Sequence, residues 1–174
     1  PSTTGKSTLL RQLVNNGVLL EVVSFTTRSP RDGEIEGQAY TFLTKDQFLQ
    51  FRDEGQLVEY VQFSGHYYGI AKQRIADTLA KGHAGIAVEP RGAAQIKDIY
   101  GRAVKQIYIE PPHLEEVLRR FKKRSPEDYR EQYESRKLED QAIGGYKKNC
   151  DYTLLPHNSQ NWISNVTEWI KNNQ

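Results

Sequence analysis

A chain of 174 residues is long enough for one domain with its own hydrophobic core, without help from disulfides or a structural metal. Apolar residues make up 37% and charged residues 26%, which excludes a disordered chain, and a net charge of +2 gives no reason to expect a nucleic acid or an anionic membrane as partner. The lone cysteine, Cys150, cannot close an internal disulfide, and no apolar run approaches the roughly 20 residues of a membrane span, so a cytoplasmic protein is expected.

In chain order, Pro1-Ser2-Thr3-Thr4-Gly5-Lys6-Ser7-Thr8 runs into Leu9, Leu10, Leu13 and Val14, the spacing of an amphipathic helix that ends near Gly17. Leu19 to Phe25 reads as a buried strand, Thr26 to Gly37 as loop and Ala39 to Leu43 as strand. Lys45 to Glu54 is helical and stops at Gly55, Gln56 to Phe63 alternates as a strand, and Tyr67-Tyr68 resumes extended structure after a turn at Ser64-Gly65-His66. Lys72 to Lys81 is a helix with Ile75, Ala76 and Leu79 on one face, followed by a short buried strand at Ala84 to Val88 and a brief helix at Ala93 to Ile99. Val104 to Ile109 is a strand halted by Pro111-Pro112, Leu114 to Asp140 a highly charged helical region, Tyr152 to Leu155 a last strand, and Trp162, Val166, Trp169 and Ile170 stripe a closing helix. Strands alternating with helices predict an α/β fold, a mainly parallel sheet flanked by helices, with a β-rich insertion near residues 38–69.

The opening segment supplies everything after the first glycine of the phosphate-cradling pattern G-x-x-x-x-G-K-[ST]. In such a loop, backbone N–H groups at a helix N-terminus bind phosphate oxygens, Lys6 spans the β- and γ-phosphates, and the Ser7 hydroxyl ligates Mg²⁺. A bare G-K-S-T would read equally well as an ordinary helix cap. The amphipathic helix behind it and the arginine-rich loop two elements later favour phosphate binding. Because the chain begins inside the motif, a strand is expected upstream of Pro1.

Beyond the loop the sequence resembles guanylate kinases. The likeness is carried by Pro1 to Ser7, by Ser24-Phe25-Thr26-Thr27-Arg28-Ser29-Pro30-Arg31, by Gly33-Glu34 through Tyr40, and above all by Leu57-Val58-Glu59-Tyr60-Val61-Gln62-Phe63-Ser64-Gly65-His66-Tyr67-Tyr68-Gly69. It fades after about residue 140. It implies a P-loop nucleoside-monophosphate kinase fold with a core of about 1–23, 80–118 and 141–174, an acceptor-binding insertion of about 24–79 and a helical lid of about 119–140. The activity it implies is ATP-dependent phosphorylation of a purine nucleoside monophosphate, GMP or dGMP, with Mg²⁺.

Carried over residue by residue, the resemblance places the ATP phosphates on Thr3, Thr4, Gly5, Lys6, Ser7 and Thr8, with Ser7 on the metal. It places the acceptor phosphate on Arg28, Arg31, Tyr40 and Tyr68. Glu59 corresponds to the carboxylate that reads the guanine N1–H and 2-amino group, and Ser24 to a donor near the 6-oxo group. Arg120, Arg124 and Arg136 correspond to arginines of the lid, and with Lys6 and Arg28 they form the implied catalytic set. Guanidinium forks suit phosphate, and transfer needs mainly positioning and charge stabilisation.

Four departures stand out. Thr3 occupies a glycine position. Ile70 replaces a Ser or Thr that hydrogen-bonds the base, so it enters the acceptor set without a polar group. Ala87-Val88-Glu89-Pro90-Arg91-Gly92 replaces a D-x-D-x-Q-G segment, leaving Glu89 to contact the base or a water on Mg²⁺. Leu155-Pro156-His157-Asn158 replaces the loop on the adenine side. These changes fall on base reading and spare phosphate handling, so a relaxed or shifted acceptor preference is the alternative, and a catalytically silent binding module a further one.

Overall fold

The computed structural model describes residues 4–63, 65–124, 127, 129–130, 133–134 and 146–173. Helix α1 (Lys6–Asn15) leads to β1 (Leu20–Glu21) and β2 (Phe25–Thr26), then β3 (Thr41–Phe42), α2 (Lys45–Asp53), β4 (Leu57–Phe63) and β5 (His66–Ala71). Helix α3 (Lys72–Leu79), β6 (Ala84–Gly85), α4 (Pro90–Tyr100), β7 (Ile107–Ile109), α5 (Leu114–Arg124), β8 (Tyr152–Leu154) and α6 (Trp162–Asn172) complete the order.

Two parallel pairs form the α/β core. Strand β1 runs beside β6 with Leu20 opposite Ala84, and β7 beside β8 with Ile107 opposite Tyr152. Parallel neighbours need long crossovers, which here carry the helices. The expected single parallel sheet is thus present as two separate pairs, each with its own apolar cluster. Leu9 and Leu13 of α1 with Trp162 and Val166 of α6 cover Ile109 and Leu154, whereas Val22, Val58, Ile70, Ile75 and Ile96 form the second cluster.

The insertion is a four-stranded sheet in the order β3-β2-β5-β4, antiparallel except for β2 beside β3. Its α2 side is closed by Phe25, Phe48 and Ala71, with Phe48 stacked on Tyr67 at 5.4 Å between centroids and Phe25 edge-on to Phe51 at 4.9 Å. Helix α2 starts where local chemistry dictates. The Thr44 hydroxyl accepts from the Gln47 N–H and the Gln47 side chain accepts from the Thr44 N–H, a reciprocal cap.

Three local expectations are corrected. The strand foreseen over Leu19 to Phe25 is split, because the chain changes partners between β1, which joins the core, and β2, which joins the insertion sheet, and Leu20 stays 38% exposed. Helix α4 starts at Pro90 rather than Ala93, since proline at the first helical position loses no bond that the helix would use. On α3 only Ile75 is buried, and Leu79 is 52% exposed, because one turn of contact with the second cluster suffices to seat an eight-residue helix.

Leu154, 2% exposed in the first cluster, should therefore cost about 2–5 kcal/mol on Leu154→Ala, whereas Leu79→Ala should stay within about 0.5 kcal/mol. Urea denaturation of the two variants measures both; equal losses would contradict this assignment of the core.

Candidate active site

Gly5 precedes α1 with φ 96°, a left-handed conformation that glycine adopts without strain, and no side chain caps the helix it opens. The first-turn N–H groups of a helix have no intrahelical acceptor, so this end presents donors and the positive end of the helix dipole. Lys6 Nζ donates to Glu89 Oε1 at 3.2 Å, reaching across to the start of α4. Ser7 and Thr8 are exposed and Thr4 is buried beneath them. Trp162 backs the loop, with ring atom Cζ3 3.5 Å from where a Gly5 Cβ would stand and its indole N–H donated to the Leu155 carbonyl at 2.9 Å.

From this loop a cleft of about 2110 Å³ extends to the insertion, lined by Thr4 to Thr8, Ser24, Arg28, Arg31, Tyr40, Glu59, Tyr68, Glu89 and Arg120 among others. Chain segments from Thr4 to Arg120, distant in sequence, thus meet on one surface.

At the insertion end of the cleft, Arg28 is built in from three sides. Its Nη2 donates to both Glu34 carboxylate oxygens at 2.8 Å, its Nη1 donates to the Ser29 carbonyl at 2.6 Å, and its guanidinium lies 5.5 Å over the Tyr40 ring and 5.9 Å over Phe42. Partial burial works against the Arg28 charge, but Glu34 and Tyr68 outweigh it and raise its pKa. The same Glu34 accepts the Arg31 backbone N–H at 2.9 Å. Burial opposes the Glu34 charge in turn, and the Arg31 amide and the Arg28 guanidinium still hold its carboxyl below the ordinary range. One carboxylate therefore holds the Arg28 guanidinium and the Arg31 backbone. Tyr40 and Tyr68 meet edge-on, 6.0 Å apart.

Glu59 projects from β4 into the cleft at 7% exposure, and among the described residues no donor faces its carboxylate. Desolvation alone pushes its pKa from 4.5 up to about 7. Ser24 lines the same cleft, its backbone carbonyl accepting from the Thr41 N–H at 2.9 Å.

Ile70 is a correction. It lies opposite Glu59 in the β4–β5 register, yet it is fully buried with Val22, Val58, Ile75 and Ile96 and does not line the cleft. Having no polar atom to satisfy, it joins the apolar cluster beneath the pocket. Glu89, expected to contact the base or a water on Mg²⁺, has its carboxylate turned to Lys6 of the loop that opens α1.

On α5, Arg120 lines the cleft while its Nε donates to Glu116 Oε1 at 2.7 Å. Hydrogen bonds from Arg119 and Arg120 pull the Glu116 carboxyl down to about 2. Thr3 and Arg136 lie outside the described residues, as does the side chain of Arg124. Sequence reasoning gave Glu34, Trp162 and Gly92 no part in the site. For Glu34 a signal existed, an acid within six residues of two arginines; for Trp162 and Gly92 only the tertiary approach reveals the contact.

The raised Glu59 pKa has a consequence for stability. Between pH 4.5 and about 7 the folded chain keeps a proton that the unfolded chain has lost, so stability falls as pH rises through this window and the loss is complete above it. Glu59→Gln should leave stability near the wild-type value at pH 4.5 and raise it at pH 8, by at most about 3 kcal/mol. Thermal melts of both proteins at the two pH values measure this, and a destabilised variant at pH 8 would contradict the unpaired, desolvated carboxylate.

Comparison with known proteins agrees in both sequence and fold. Residues 1–173 match the family model described as guanylate kinase. A guanylate kinase of Ehrlichia chaffeensis is 38% identical over 130 residues, covering 73% of this chain and 62% of that protein, and one of Clostridium tetani is 39% identical over 128 residues, covering 73% and 61%. The chain thus spans about three fifths of these two relatives. It spans 80% of a guanylate kinase of Ehrlichia ruminantium, 32% identical over 169 residues that cover 95% of this chain. The crystal structure of guanylate kinase from Anaplasma phagocytophilum superposes with a TM-score of 0.66 at 24% identity, over 96% of this chain and 79% of that one, which is a likeness of fold. With a family model matched along nearly its entire length, the chain belongs to the guanylate kinase family.

Proposed function

We propose that this chain transfers the terminal phosphoryl group of ATP to a purine nucleoside monophosphate, GMP or dGMP, in the cytoplasm. One observation carries the reading: a single cleft joins the Gly5-Lys6-Ser7 loop to Arg28, Arg31, Tyr40 and Tyr68, with the buried carboxylate of Glu59 beyond them. The loop's backbone donors and Lys6 receive the ATP phosphates. Arg28 and Arg31 receive the acceptor phosphate, with the Tyr40 and Tyr68 hydroxyls adding donors without charge. Arg120, with Arg124 and Arg136, supplies cations from the lid side.

Glu59 gives the base selectivity. As a carboxylate it accepts two hydrogen bonds, and guanine offers two donors, N1–H and the 2-amino group. Adenine presents an acceptor at N1 and no 2-amino group, so its binding would leave a buried carboxylate unpaired. Two donors from guanine also favour the ionised form of a group whose pKa in the empty cleft is about 7.

The donor set suits Mg²⁺. Among the described residues no group of three acidic, His or Cys side chains gathers, and Ser7 with Glu89 gives a hydroxyl and one carboxylate. That is the sparse protein contribution of an ion that keeps its waters and binds mainly to substrate phosphates. When bound, it neutralises charge on the transferring phosphates. Among the described residues no helix is long and apolar enough to cross a membrane.

A second reading, a shifted acceptor preference, is favoured by Ile70, which offers the pocket no hydrogen bond. Measuring ADP production with GMP, dGMP, dAMP, dTMP and 2-amino-dAMP decides between the two. Turnover confined to GMP and dGMP supports the first, and comparable rates with other bases support the second. Lys6→Ala should lower kcat at least about a hundredfold with the fold intact by circular dichroism; unchanged turnover would overturn the role given to Lys6. Glu34→Gln should raise KM for the acceptor roughly tenfold and leave KM for ATP nearly unchanged, because it loosens the Arg28 guanidinium and the Arg31 backbone.

A further inference from the structure

Helix α4 opens Pro90-Arg91-Gly92, and Gly92 is buried in its first turn. Its φ is not among the left-handed ones, so the backbone does not require glycine, and glycine is a poorer helix former than alanine. What requires it is space. The three atoms nearest to where a Cβ would stand all belong to Glu59: Oε2 at 2.7 Å, Cδ at 3.0 Å and Cγ at 3.3 Å. Gly85 makes a useful contrast, because a Cβ there would meet methyl carbons of Leu19 and Leu10 at 2.6 and 2.7 Å, a matter of core packing. At Gly92 the neighbour is the end of a flexible side chain that lines the cleft.

We infer that Gly92 is a specificity-determining positioning residue, whose missing Cβ is the space that the Glu59 carboxylate occupies and so sets the depth of the base pocket. The inference rests on the reading of Glu59 as the group that recognises the base. A methyl group at position 92 leaves the helix intact and turns the carboxylate out of its recess, towards the volume where the base would lie. Two donors spaced as in guanine then no longer meet two oxygens at once, and the pocket loses depth for any purine.

The test is Gly92→Ala, with Glu59→Gln and the double variant, assayed with GMP and with IMP, which lacks the 2-amino group. Titration calorimetry of both monophosphates runs alongside. Gly92→Ala should raise KM and Kd for GMP roughly tenfold or more with kcat within about threefold, and should affect IMP less. Its melting temperature should be equal to or above that of the wild type, since alanine favours the helix. The double variant should be no worse than Glu59→Gln within about twofold, because both changes remove the same contact.

Wild-type affinity for GMP in Gly92→Ala, additive losses in the double variant, or a lowered melting temperature with reduced kcat and unchanged KM would each overturn the inference. A wild-type chain that neither binds nor phosphorylates GMP would instead sink the reading of Glu59, and this inference with it.

Discussion

A largely buried carboxylate with no protein donor among the described residues stands where the insertion and α4 meet. Glu59 sits at 7% exposure over an apolar cluster that includes Ile70, its cross-strand neighbour, and α4 brings Gly92 against it. Desolvation penalises its charge, so the empty protein carries a destabilising group that a partner with two donors would satisfy. Stability is given up at this position. The surrounding fold supplies the compensation: β4 and β5 are paired along their length, and the opposite side of the sheet is closed by the Phe25, Phe48 and Ala71 cluster.

The cations of the cleft follow the opposite rule. Lys6 meets Glu89, Arg28 meets Glu34, and Arg120 meets Glu116, so each has an acid within hydrogen-bonding distance. These pairs differ in kind. Arg28 and Glu34 are the most enclosed of the three, with Nη2 shared between both carboxylate oxygens and the acid joined to the Arg31 backbone, an arrangement that holds the guanidinium in place. The Lys6 and Arg120 pairs are more exposed and worth little to stability, so the acid is displaced from either cation at small cost. A chain of nearly neutral net charge can in this way keep a cationic cleft without long-range self-repulsion.

Much of this was legible in the sequence where the cause is local. The reciprocal cap at Thr44 and Gln47, the halt at Gly55 and the amphipathic run after Gly5-Lys6-Ser7 are encoded within a few residues, and the elements formed there. Strand limits were less legible. Leu19 to Phe25 reads as one apolar run, but the pairing partners change midway from β6 to β3 and β5, and a partner distant in sequence leaves no mark on the run itself. Leu79 shows the same limit, since helical spacing puts it beside Ile75 while the depth of the neighbouring cluster decides that only Ile75 is covered.

By itself the sequence determined the α/β alternation, the Gly5-Lys6-Ser7 turn into a helix and the residue types of the cleft, because motif spacing and side-chain chemistry are properties of short segments. Only the tertiary structure decided that Ile70 faces the core and not the cleft, that Glu89 turns to Lys6, that Glu34 braces Arg28, and that Gly92 makes room for Glu59. The physical reason is common to all four. Burial, desolvation and van der Waals clearance depend on which distant segments come within a few ångströms, and that proximity exists only once the chain is folded.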